Sequence, residues 1–138
     1  PLYFREVVPD SPVPFMGASV SVHPVTHRPE SVALGLRFPS GKVFAFSGDA
    51  AFDENLVEAL AGSDLAIVEL SIESQPGPSA DPVAHVSLDE LKKSRERIQT
   101  RRLIVSHIYD ALARRVEEEN KRRPGFAEPA FDGLVLHL

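Results

Sequence analysis

Residues 44–56 read FAFSGDAAFDENL. An apolar run, Val43-Phe44-Ala45-Phe46, stops abruptly at Ser47-Gly48-Asp49. Such a run, bounded by turn residues, is the pattern of a strand buried in a sheet. Gly48 lets the backbone turn sharply or lets a ligand come close. Asp49 then stands at the rim of the sheet instead of inside it. Taken alone, Asp49 equally fits a cap on the helix that starts near Asp53, or an Asx turn. The choice depends on what other strand ends deliver.

Working outward, Ala18–Val25 alternates at period two and Val32–Phe38 is a second strand. Pro39-Ser40-Gly41-Lys42 is turn chemistry, so Lys42–Phe46 returns as the third strand of a hairpin. The leading residues 1–15 hold Pro1, Pro9, Pro12 and Pro14 and read as irregular. Asp53–Ala61 is helical, with Leu56, Val57 and Leu60 on one face and Gly62 as its stop. Asp64–Leu70 (DLAIVEL) is a strand buried on both faces. Residues 74–82 form a proline-rich loop. Ser87-Leu88-Asp89-Glu90 is a capping box that opens a helix running to about Gln99. Arg102–Ser106 (RLIVS) is another buried strand, Ala111–Arg123 a charged helix, and Phe131–Leu138 (FDGLVLHL) a closing strand. Strand, helix, strand, helix, strand is an α/β layer pattern within one domain, residues 1–138.

The composition is that of an ordinary soluble protein, with 43% hydrophobic and 25% charged residues. A net charge of −5 argues against a general nucleic-acid binder. The basic residues of the two later helices are interleaved with acids and read as solvated faces. With no cysteine, disulfides and thiolate metal sites are excluded, so any transition metal must be held by His, Asp or Glu. No apolar run approaches the roughly 20 residues needed to span a bilayer, and no signal-peptide pattern opens the chain. The expectation is a cytoplasmic protein without a membrane partner. A first residue of Pro suggests a processed chain or part of a longer one.

In α/β sheets, polar side chains just past the C-terminal strand ends point into a shared crevice. His27 follows VSVHPV, Asp49 follows KVFAF, His85 lies after DLAIVEL, and His107 follows RLIVS. Singly, each histidine fits a loop or a satisfied core position. His137, in the last strand, carries no function in this reading.

As a set, the stretches PVTH, VFAFSGDAAFDENL, SDLAIVEL, HVSLDEL, RRLIVSH and AFDGLVL resemble the C-terminal half of the metallo-β-lactamase fold. The likeness is to its ribonuclease Z and phosphodiesterase branch and runs from about residue 17 to 138. It implies the second half of an αββα sandwich. It implies that His27 binds one metal, Asp49 bridges two, and His107 binds the other. His85 would be a proton donor near the leaving group and not a ligand, with Glu69 orienting it. Two divalent ions are implied, zinc first, with manganese or iron as alternatives.

The family's HxHxDH motif is absent from the chain, so three ligands are left to share between two ions. The resemblance therefore implies that residues 1–138 are the C-terminal part of a longer domain. It also implies an apolar sheet face left open for the missing N-terminal half or a second chain, a homodimer being one case. The expected substrate is a small phosphodiester or an RNA end: a cyclic nucleotide, a cyclic phosphate or an RNA 3′ terminus. Alternatives are a thioester or lactone hydrolase on the same scaffold, or a metal-free half-domain that binds a partner.

Overall fold

The computed structural model describes residues 2–3, 6–9, 11–77 and 84–138. Pro1 and the part of the expected loop from 78 to 82 lie outside the described residues. Seven strands form one sheet in strict chain order: β1 (Val13–Phe15), β2 (Ala18–Pro24), β3 (Val32–Arg37), β4 (Val43–Phe46), β5 (Leu65–Glu69), β6 (Arg102–Ser106) and β7 (Glu128–Pro129). Helices α1 (Glu54–Leu60), α2 (Leu88–Ser94) and α3 (Asp110–Arg122) connect β4 to β5, β5 to β6 and β6 to β7.

The first four strands pair antiparallel and the last four parallel. Each parallel crossover steps the same way across the sheet. Right-handed crossovers must then place all three helices on one face. The core records this. Ala33, Ala45, Ala66, Val68, Leu103 and Val105 cluster with Leu56 and Leu60 of α1, Leu88 and Leu91 of α2, and Leu112 and Val116 of α3. Small alanines on β3, β4 and β5 let the helices approach closely.

The opposite face is built from the alternate residues. Leu36, Phe44 and Leu65 are cross-strand neighbours in one row, and Leu34, Phe46, Ile67 and Ile104 in the next. No helix packs there, and Phe46 is 38% exposed. Leu34, Leu36, Phe44 and Ile67 are half-buried, and Leu65 and Ile104 are fully buried.

Three elements differ from the sequence reading. β1 forms where prolines suggest irregular chain, because Met16 (φ 47°) and Gly17 (φ 81°) both take the positive φ that tight hairpin loops need. Pro14 is tolerated because β1 is an edge strand. The helix after Ser87 gives way to a 3₁₀ turn at Arg95–Arg97 instead of running to Gln99. The closing strand is not FDGLVLHL. Only Glu128–Pro129 pairs with β6. Beyond them a turn intervenes, with Gly133 at φ 85° and Leu134 N–H bonded to Phe131 O. Asp49 does not cap α1; Asp53 does, accepting from Leu56 N–H at 3.0 Å. Among the described residues no helix is long and apolar enough to cross a membrane.

Candidate metal centre

β2 is antiparallel to β3 and β3 to β4, so β2 runs in the same direction as β4, β5 and β6. The C-terminal ends of these four strands therefore open onto one edge of the sheet. His27 follows β2, Asp49 follows β4, Glu69 ends β5, and His107 follows β6. His85 returns to this edge from the loop ahead of α2.

The turn into Asp49 depends on Gly48, whose φ is +60°. A Cβ there would stand 3.1 Å from the Val32 carbonyl oxygen. Buried Ser47 anchors the turn. Its N–H donates to Ile67 O at 3.0 Å, and its hydroxyl oxygen accepts from Glu69 N–H at 3.0 Å. Ala51 N–H donates to Thr26 O at 2.8 Å, tying the Asp49 loop to the His27 loop.

Glu69 is the organising group. It is 2% exposed. Its Oε1 accepts from His85 Nδ1 at 2.7 Å, Val86 N–H at 3.1 Å and Ala50 N–H at 3.3 Å. Its Oε2 accepts from the Ser71 hydroxyl at 3.1 Å. A buried carboxylate is costly unless fully bonded, and this one is. The bond to His85 fixes a tautomer with the proton on Nδ1, leaving Nε2 for the site. The His85 backbone is held as well, since Gln75 Nε2 donates to its carbonyl at 2.9 Å and to Glu90 Oε2 at 3.0 Å. Glu90 closes the expected capping box with Ser87.

His27 shows the same pattern. Its Nδ1 donates to Ala84 O at 2.9 Å, so Nε2 is again the free nitrogen. His107 has a left-handed backbone (φ 55°) and places Nδ1 3.3 Å from Asp49 Oδ1. Left-handed backbone is uncommon for residues other than glycine, and it concentrates at functional sites. The His85 ring lies 4.9 Å from the His27 ring and 5.7 Å from the His107 ring, centroid to centroid.

All four expected histidine and aspartate positions thus meet at one edge. One donor atom each from Asp49, His85 and His107 lie within 4.8 Å of one another. Donors on one tetrahedral zinc ion stand about 3.4 Å apart. The set is looser than that, and two ions about 3.5–4 Å apart would span it. Metal-ligating histidines commonly have their second nitrogen bonded to a carboxylate or carbonyl, as His85 and His27 do here. The chemistry of the donors fits divalent metal.

The three-donor group includes His85 and leaves His27 to its flank, whereas the sequence reading has His27 as ligand. His137 lies far along the chain from this edge and is exposed. Sequence reasoning missed Ala84 O, Ser47, Ser71 and Gln75. Only Ser47, a polar residue closing an apolar run, left any signal.

Residues 2–108 match the family described as Beta-lactamase superfamily domain. A protein of Mycobacterium leprae (strain TN), "Uncharacterized protein ML1173", is 31% identical over 104 residues, covering 75% of this chain and 36% of that one. Among solved structures, the metallo-beta-lactamase fold protein YhfI from Bacillus subtilis superposes with a TM-score of 0.75 at 17% identity. That match covers 94% of this chain and 54% of YhfI. A diphosphatase from the PhnP family gives a TM-score of 0.65 at 26% identity, covering 95% of this chain and 47% of that one. The chain spans about a third to half the length of these relatives.

Proposed function

Since the chain belongs to the beta-lactamase superfamily, whose domain model matches residues 2–108, we propose that it carries one side of the active site of a dinuclear-metal-dependent phosphodiester hydrolase. The observation that carries this reading is the convergence of Asp49, His85 and His107, with His85 held by the buried carboxylate of Glu69. The 26% identity to a diphosphatase supports chemistry at phosphorus.

Asp49 would lie between two divalent ions, with His27 holding one and His107 the other. Zinc suits imidazole, and the carboxylate admits manganese or iron. When bound, the metal pair supplies a deprotonated water and neutralises charge at phosphorus. The chain's own residues do the rest. In its doubly protonated form, with Nδ1–H kept on Glu69, His85 would give the Nε2 proton to the departing alkoxide and be left as the neutral Nδ1–H tautomer. Glu69 keeps the His85 ring in one tautomer and one orientation. The remaining metal donors would come from polypeptide outside residues 1–138, the N-terminal half of an αββα domain. The same polypeptide would cover the outer sheet face at Phe44, Phe46 and Ile67.

The test is metal content and turnover of the full polypeptide. Substrates are bis(p-nitrophenyl) phosphate and a 2′,3′-cyclic nucleotide. Replacement of His85 by Ala is expected to preserve metal content and to slow the cyclic nucleotide by about 10²- to 10⁴-fold, the range of a general acid. The p-nitrophenolate ester, whose leaving group needs no proton, should suffer less. Fully metal-loaded protein without turnover would defeat the reading, as would a His85→Ala variant of undiminished rate. A variant that loses metal instead would make His85 a ligand.

A further inference from the structure

Two clefts border the Asp49–His85–His107 cluster, one lined in part by Asp49 and the other by His107, and their linings differ in chemistry. One, of about 470 Å³, is lined by His27, Arg28, Ser31, Val32, Gly48 and Asp49. Arg28 is exposed, and its guanidinium makes no ion pair among the described residues. The other, of about 380 Å³, is lined by Ser71, His107, Ile108 and Tyr109. Ile108 packs on the hydrophobic core, which makes the floor of this cleft rigid and apolar.

Tyr109 is the anomaly. It occupies the N-cap of α3, where Ser, Thr, Asp or Asn would bond the free N–H groups of the first turn. Tyr109 makes no such bond and is 52% exposed. Neither helix stability nor core packing accounts for a large aromatic there. Departures from local rules of this kind concentrate at functional sites. It also directly follows the left-handed His107 and Ile108, at the mouth of the cleft.

We propose that Tyr109, backed by Ile108, is a stacking platform for the base of a nucleoside-bearing phosphodiester, with Arg28, in the cleft that Asp49 lines, binding the phosphate-side anion. This rests on the hydrolase reading above and narrows it: the substrate is a nucleotide ester and not a base-free sugar phosphate. Stacking needs only a planar π face, so the platform selects nucleosides without selecting among bases. The guanidinium suits phosphoryl oxygens, which it engages in pairs.

The experiment uses the full polypeptide in wild-type, Tyr109→Ala and Tyr109→Phe forms. Hydrolysis of adenosine 2′,3′-cyclic phosphate is compared with that of a base-free ribose cyclic phosphate. Tyr109→Ala is expected to lower kcat/KM for the nucleotide by about tenfold to a hundredfold, mainly through KM, the range one base–aromatic stack supports. It should leave the base-free ester unchanged, and Tyr109→Phe should behave as wild type. In parallel, calorimetry compares AMP with ribose 5-phosphate. AMP should bind more tightly, and Tyr109→Ala should abolish the difference. An equal loss on both esters, or an AMP preference that survives Tyr109→Ala, overturns the platform. Absence of turnover on every ester would sink the hydrolase reading, and the AMP comparison would still decide the platform.

Discussion

Gly48 and Glu69 divide the work of placing the site residues. At Gly48 the chain adopts a conformation that L-residues disfavour by roughly 1–2 kcal/mol, and an added Cβ would press on the Val32 carbonyl at 3.1 Å. Gly48→Ala is therefore expected to destabilise the fold by about 1–3 kcal/mol, read as a lower urea midpoint. In the proposed mechanism Glu69 orients His85. A Gln there can still accept the Ala50 and Val86 N–H bonds, but as a weaker partner for imidazole. Glu69→Gln should fold normally and lose about 10- to 100-fold in turnover or metal affinity, the usual effect of losing a carboxylate behind a site histidine. Measuring kcat and bound metal side by side checks this. At this scale the placement of His27, Asp49 and His107 at one edge was legible because each follows a strand-like run, and that of His85 from the loop ahead of α2. Their division into ligands and acid was not legible. That depends on loop conformation, such as φ 55° at His107 and the Ala84 carbonyl that receives His27.

Among the elements, β4, β5 and β6 were legible because each is a short, mostly apolar run. The hairpin of β3 and β4 was legible from Pro39-Ser40-Gly41. β1 and β7 escaped because their pairing is decided by partners, not by their own pattern. Three residues around a Met16-Gly17 turn, or two ending in a proline, carry too little periodicity to register. The N-terminal ends of the strands have their own fastening at Asp64, just ahead of β5. Its carboxylate accepts from Lys42 Nζ at 2.9 Å, Val43 N–H at 3.0 Å and Arg101 Nη1 at 3.3 Å. The Lys42 bond first, then the Val43 N–H, holds its pKa below the ordinary 3.8. A depressed carboxylate contributes stability that is present above its unfolded pKa and is lost as pH falls through the folded one. The stability gap between wild type and Asp64→Asn should therefore be constant above about pH 4 and close below it. Urea midpoints from acid to neutral pH test this.

For the whole molecule, the determining fact is that the helices occupy one face only. On the other, Phe46 is exposed and Leu34, Leu36, Phe44 and Ile67 are half-buried. Contiguous apolar surface of this kind marks an interaction site or an aggregation liability. Residues 1–138 on their own are expected to sediment above the 15.1 kDa of one chain. Phe46→Lys should return them toward a monomer without lowering the thermal midpoint. A chain that is already monomeric, or one that stays associated after the change, would contradict this use of the face.

The bond between His27 and the Ala84 carbonyl joins positions 57 residues apart in sequence. The donors at the edge sit at the ends of different strands or, for His85, in the loop ahead of α2, so they come together only when β2 through β6 have found their partners. Topologies dominated by such distant pairings assemble slowly. If this edge holds cations as proposed, its donors come together only once the strands have paired, so ion binding would follow assembly of the sheet, the reverse of small zinc modules that the ion itself folds.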